Sequence, residues 1–187
     1  MSLIRLKKYQ ESIYLVGFMA SGKSAIGKIL AQSLEKPYLD LDDYIVKKEK
    51  CSIPQIFNDK GEAYFRKQEW KYILEITHNF KGIVSLGGGA LHNQKVVDHI
   101  KLYGLMVFLN TPLDIILQRI VQNKNRPLVL NRWGEIKSQE TLFSELESLY
   151  LKREYLYKQS QITLKSTGEE TKEEQTSMLI EKLQRYV

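Results

Sequence analysis

Gly17-Phe18-Met19-Ala20-Ser21-Gly22-Lys23-Ser24 decides the fold. The octapeptide matches G-x-x-x-x-G-K-[ST]. It follows an apolar run (Ile13, Leu15, Val16) and opens a stretch in which Ile26, Ile29, Leu30, Ser33 and Leu34 recur at helical spacing. Strand, glycine loop and helix in that order are what phosphate binding requires. Glycines let successive backbone N–H groups turn toward phosphate oxygens, and the helix N-terminus adds partial positive charge. In such a loop Lys23 reaches the β- and γ-phosphates of a nucleoside triphosphate and the Ser24 hydroxyl ligates Mg²⁺. At ordinary glycine usage the pattern arises by chance in about one chain in a hundred of this size, and its flanks make chance a poorer account still.

Outward from the loop, short apolar runs alternate with amphipathic stretches, the signature of a parallel sheet wrapped by helices. Strands are predicted at 13–16, 37–40, 83–86, 105–110 and 161–165. Helical patterns lie between them, one with Trp70, Ile73, Leu74 and Thr77 on its apolar side. Another starts at Thr111-Pro112, a natural N-cap followed by proline at the first position. Helices are also predicted over 139–159 and 169–186, the last with Met178, Leu179 and Leu183 on one side. The segment 123–139 has neither period. It is basic, contains Arg126-Pro127 and Gly134, and reads as a lid or as a plain surface loop.

With 187 residues, 43% of them hydrophobic, the chain can bury one core, so a single domain over 1–187 is expected. The net charge of +6 is spread along the chain without an arginine-rich arm, which argues against nucleic acid and leaves a small anionic substrate. Cys51 is the sole cysteine, so no intrachain disulfide or zinc ribbon can form. No apolar run approaches the ~20 residues that span a bilayer, and the N-terminus lacks a signal-peptide core. A cytoplasmic enzyme without a membrane partner, working as a monomer, is the expectation.

Three groups of residues carry further chemistry. Leu39-Asp40-Leu41-Asp42 ends the second predicted strand, where alternation would point Asp40 and Asp42 to one face, with Asp43 available to cap the next helix. Two carboxylates at the carboxyl end of a parallel strand can hold hydrated Mg²⁺ and accept a proton from a hydroxyl. Arg153 falls on the apolar stripe of Leu142, Leu146, Leu149 and Leu156, so it needs an anionic partner: an internal carboxylate or a bound acid. Arg66 has Glu62 and Glu69 at helical neighbour spacing. Those acids form either minor surface pairs or a lock that aims the guanidinium fork at a ligand carboxylate. Gly87-Gly88-Gly89 follows the third strand, either as a tight turn or as a place where backbone closely approaches a ligand.

In this order and spacing the motifs resemble the shikimate kinase family over nearly the whole chain. The resemblance rests on 17–24, Asp40-Leu41-Asp42, Ile56-Phe57 followed by Gly61-Glu62 and Phe65-Arg66, Ser85-Leu86-Gly87-Gly88-Gly89, Arg126-Pro127-Leu128, and Lys152-Arg153 ahead of Leu156-Tyr157. It implies an α/β, three-layer P-loop kinase fold with a five-stranded parallel sheet in order 2-3-1-4-5, and transfer of the ATP γ-phosphoryl group to the 3-hydroxyl of shikimate. By matching position, ATP would meet Ala20, Ser21, Gly22, Lys23, Ser24, Ala25, Arg119 and the lid's Arg126. Shikimate would lie in a segment of about 41–78 and against the glycines. There it would meet Asp42 as holder of its hydroxyls and base, Phe57, the backbone of Gly87, Gly88 and Gly89, and Arg66 and Arg153 at its carboxylate. Mg²⁺ would be bound by Ser24 directly and by Asp40 through water, and 165–167 would flank adenine. Ala20 stands where the family often has glycine, a change tolerated if its φ is negative. A gluconate-kinase-like enzyme and a regulatory domain that has lost catalysis are the rival readings.

Overall fold

The structure, a computed structural model, describes residues 2–122 and 137–186. Five strands, β1 (Ser12–Val16), β2 (Tyr38–Asp40), β3 (Ile83–Ser85), β4 (Gly104–Asn110) and β5 (Ile162–Lys165), form one all-parallel sheet in order β2-β3-β1-β4-β5. That is the order the resemblance implied, and the five predicted strands match these to within a residue. Eight helices surround the sheet among the described residues: α1 (Ser2–Lys8), α2 (Lys23–Leu34), α3 (Leu41–Glu49), α4 (Ile53–Asn79), α5 (Gln94–Tyr103), α6 (Leu113–Gln122), α7 (Gln139–Tyr157) and α8 (Lys172–Tyr186).

Strand alternation builds two cores, one per face of the sheet. Ile13 and Leu15 of β1, with Leu105, Val107 and Leu109 of β4, pack against Ile26 and Leu30 of α2 and Leu179 and Leu183 of α8. Tyr14, Val16, Met106 and Phe108 face the other way, onto Ile45 of α3, Phe65 and Ile73 of α4, Ile100 of α5, Ile116 of α6 and Leu146 of α7. Because both faces are covered, β1 is buried along its whole length. Its carboxyl end opens between neighbours reached by opposite crossovers, where ligands of open α/β sheets gather.

Several helix boundaries differ from the sequence expectations for identifiable reasons. β2 ends at Asp40 as predicted, but strand alternation does not carry on to Asp42, because Asp40, not Asp43, is the N-cap of α3 and accepts from the backbone N–H of Asp42 (3.1 Å). Asp42 therefore sits in the first helical turn, and the face-sharing expected from strand alternation does not apply. α6 begins after Pro112, and the Thr111 hydroxyl donates to the Ser21 carbonyl (3.3 Å), tying this turn to the phosphate loop. α8 begins three residues later than expected, and Met178 is turned outward, while Leu179 and Leu183 are buried as predicted. α4 opens with a capping box between Ser52 and Gln55 and is kinked at Gly61 (φ 80°, ψ 169°). A side chain at Gly61 would meet nothing within 4 Å. The left-handed backbone, not crowding, is what glycine serves there. Beyond the kink the buried stripe is Phe65, Glu69, Tyr72, Ile73, Ile76 and Thr77, so Leu74 and Trp70 lie at its margin.

Candidate active site

The loop after β1 folds as its residue types require. Gly17 (φ 143°) and Gly22 (φ 100°) occupy backbone conformations that side chains rarely adopt, and a Cβ on Gly17 would come 2.8 Å from the Leu109 carbonyl oxygen. Ala20 breaks the expectation of a negative φ: it stands at +58°. An L-residue pays about 1 kcal/mol or more for that left-handed conformation. Lys23, almost wholly buried, donates to the carbonyls of Gly17 (2.9 Å) and Phe18 (2.8 Å), which holds the amine under the loop. Arg119 reaches across from α6 and donates to the Ala20 carbonyl (3.0 Å). A cavity lined by Ala20, Gly22, Lys23, Ser24, Ala25 and Arg119 opens above this loop.

The two aspartates line the same cavity. Ser24 donates its hydroxyl proton to Asp40 Oδ2 (2.7 Å), which also takes a bond from the Tyr38 hydroxyl (3.2 Å). Asp42 is pushed up to about 6. Burial is the main cause, the neighbouring negative charges of Asp40 and Glu69 add to it, and Lys23 opposes it. Two adjacent carboxylates are thereby driven into unlike environments: Asp40 receives three hydrogen bonds and Asp42 lies against Gly87.

A second cavity continues past Asp42, lined by Met19, Ile53, Phe57, Phe65, Arg66, Glu69, Gly87, Gly88, Gly89 and Arg153. Phe57 and Phe65 pack ring on ring at 4.8 Å and form its apolar side. The two acids near Arg66 have different roles. Glu69 is buried and takes the Nη1 donor at 2.7 Å, while exposed Glu62 takes Nε and Nη2 at 3.3 Å. Burial raises the Glu69 pKa, and the charges of Arg66 and then Arg153 pull it back. Arg153 finds no carboxylate within bonding distance among the described residues. It donates to the Gly88 carbonyl (3.1 Å), which the buried Tyr157 hydroxyl also reaches (2.7 Å), while Arg66 donates to the Gly89 carbonyl (3.2 Å). The glycines serve space rather than φ. A Cβ would come 2.6 Å from Asp42 Oδ1 at position 87, 2.9 Å from the Met19 backbone nitrogen at 88, and 3.0 Å from Arg66 Nη2 at 89.

A shikimate kinase family model matches residues 19–184. The chain belongs to the shikimate kinase family. A shikimate kinase of Aquifex aeolicus is 41% identical over 140 residues, covering 75% of this chain and 82% of that protein. A solved shikimate kinase of Acinetobacter baumannii, in complex with shikimate, superposes with a TM-score of 0.85 at 29% identity over 97% of each chain. A gluconokinase of Sinorhizobium meliloti reaches a TM-score of 0.53 at 15% identity over 95% of each chain, which shows a shared fold alone.

Set on this shikimate kinase fold, the residues named from sequence divide between the two cavities. Ala20, Gly22, Lys23, Ser24, Ala25, Asp40 and Arg119 line the first; Phe57, Arg66, Gly89 and Arg153 line the second; and Asp42, Gly87 and Gly88 line both. Ser21 is buried beneath the loop, its carbonyl tied to Thr111. Arg126 and most of the lid segment 123–139 lie outside the described residues. Lys172 of α8 lines the first cavity beside Gly22, and 165–167 are not among its lining residues. Lys172 and Tyr38 had no motif to mark them, and Tyr157 stood in one without an assigned role, since each depends on contacts far apart in sequence.

Proposed function

We propose that the protein transfers the γ-phosphoryl group of ATP to the 3-hydroxyl of shikimate, giving shikimate 3-phosphate and ADP. The observation that carries this reading is the joining of the two cavities at Asp42. That carboxyl faces a phosphate-binding loop on one side and an arginine pocket on the other. The second cavity holds two guanidinium groups: Arg66 is paired with Glu69 and Glu62, while Arg153 donates to the Gly88 carbonyl and has no carboxylate within bonding distance among the described residues. A compact acid whose carboxylate sits between the arginines would give Arg153 its anionic partner. Its ring would rest on Phe57 and its hydroxyls would come within reach of Asp42.

Lys23 supplies fixed positive charge where the transferring phosphoryl group develops negative charge, and Arg119 adds a second cation at the loop. Asp42, near 6, is ionised at neutral pH yet basic enough to take the proton of the attacking hydroxyl, the compromise that general-base catalysis needs. Glu69 and the Gly88 and Gly89 carbonyls hold the arginine forks in place before substrate arrives, which lowers the entropy cost of binding.

Ser24 and Asp40 offer hard oxygen donors 2.7 Å apart at the cavity wall, a set suited to Mg²⁺. No cluster of three or more acidic, histidine or cysteine ligands exists among the described residues. This matches an ion that takes most of its ligands from phosphates and water. The cation, when bound, neutralises phosphate charge; Ser24 would contact it directly and Asp40 through water. The chain is proposed to work as a single-domain monomer in the cytoplasm, with 41–78 as its shikimate-binding segment and 123–139, including Arg126, as its lid. Among the described residues no helix is long and apolar enough to cross a membrane.

A coupled ADP-release assay with shikimate, and separately with gluconate, tests the reading. Shikimate-dependent turnover is expected; turnover with gluconate alone, or with neither, overturns it.

A further inference from the structure

Tyr38 enters no motif, yet the fold makes room for it with care. Gly27 of α2 lies over its ring: a Cβ there would come 2.6 Å from Tyr38 Cε2 and 2.9 Å from Ser85 Oγ. Beneath that glycine the Tyr38 hydroxyl lies 3.2 Å from Asp40 Oδ2 and 3.0 Å from Ser85 Oγ, and Ser85 is itself buried. One phenolic proton cannot serve both acceptors. The carboxylate is the stronger acceptor, so Tyr38 donates to Asp40 and Ser85 donates to Tyr38. A chain of hydroxyls thus runs from the carboxyl end of β3 through the edge strand β2 to Asp40.

The effect falls on both oxygens of Asp40. Oδ2 is shared between Tyr38 and Ser24, and Oδ1 caps α3 through the N–H of Asp42. Rotating the carboxylate would break the Ser24 bond and the helix cap together, and Tyr38 is the donor outside both. We propose that Tyr38 is a positioning residue that fixes the Asp40 carboxylate beside Ser24, so that this oxygen pair is preset for the divalent cation accompanying the nucleotide. The inference rests on the kinase reading above. It adds a residue that acts through Asp40 without touching nucleotide or acceptor.

Tyr38→Phe tests it, because the ring stays under Gly27 and only the donor is removed. The measurement is calorimetric ADP affinity, with magnesium chloride and with EDTA. In the unaltered protein magnesium should tighten ADP binding. In Tyr38→Phe the affinity in EDTA should be unchanged, while the magnesium-dependent gain shrinks on the order of tenfold, as for other groups that orient metal ligands. Ser85→Ala should give a smaller loss in the same direction, and it carries the test if Tyr38→Phe does not fold. An unaltered magnesium gain in both variants overturns the proposal. So does equal weakening in magnesium and in EDTA, which would make Tyr38 a support of the phosphate loop only. Failure of the kinase reading appears elsewhere, as absent shikimate turnover by the unaltered protein.

Discussion

Replacing Asp42 with asparagine should make this protein more stable and nearly inactive. In the folded chain the carboxyl sits at about 6 against an ordinary 3.8, chiefly because it is buried and secondly because Asp40 is beside it. A raised carboxyl pKa means that the folded state binds the proton more tightly than the unfolded chain does. Between about pH 4 and 6 stability therefore falls as pH rises, and above 6 the full penalty is present. At about 1.4 kcal/mol per unit of pKa the penalty at neutral pH is roughly 2–3 kcal/mol. Asparagine keeps the shape and never ionises. Urea unfolding at pH 7.5 should show the variant ahead by about that amount, equivalent to roughly 5–10 °C in Tm for a chain of this size. Near pH 4 the two proteins should unfold almost together. Over the same substitution kcat should drop by roughly a hundredfold or more, since the proposed base is gone. A stability gain that is absent at pH 7.5, or is the same size at pH 4, would refute the assignment of strain to the ionised carboxyl. An unchanged kcat with only a raised shikimate KM would reduce Asp42 to a binding group.

Lys23→Ala should lower turnover by on the order of a thousandfold, because the charge proposed to meet the phosphoryl group is lost; a variant keeping a tenth of the rate would show that the loop is not catalytic. Arg66→Ala and Arg153→Ala should each weaken shikimate binding by roughly tenfold to a hundredfold and leave ATP binding unchanged, as read by calorimetry. Equal loss of ATP affinity would put them in the wrong pocket. Ala20→Gly should relieve the left-handed backbone at φ 58° and raise stability by up to about 1 kcal/mol. A thermal midpoint that falls instead would mean that the lost methyl packing and the added chain entropy outweigh the strain.

The parts of this fold legible in the sequence were those set by short-range pattern. β1 and β4 announce themselves because both faces of a central parallel strand are buried, leaving runs such as Ile13 to Val16 and Leu105 to Leu109 almost wholly apolar. The loop 17–24 was legible because its chemistry demands particular residue types at fixed offsets. Reading failed where a local rule had two users. Asp40 is the end of a strand by pattern and the cap of a helix by hydrogen bonding, and the cap decides where Asp42 points. Ala20 could be placed in the loop but not assigned its φ, since the sign depends on how the loop closes onto Arg119 and Lys23.

The arginine pocket shows the same division at the level of charge. Spacing along α4 put Glu62 and Glu69 equally within reach of Arg66, and nothing in a helical wheel separates them. Their difference comes from what packs outside the helix. Glu62 faces solvent, where an ion pair contributes little. Glu69 is enclosed with Arg66, within the field of Arg153 from α7. Desolvation makes its charge costly unless both cations stay near it. The carboxylate that sequence reasoning sought as Arg153's partner is thus present, but it acts at a distance while the Gly88 carbonyl takes the hydrogen bond. Arg66 therefore has carboxylates of its own, while Arg153 has only a carbonyl at bonding distance. On the proposed reading a substrate carboxylate supplies the missing hydrogen-bonded anion, so the guanidinium left without one is what selects an acid.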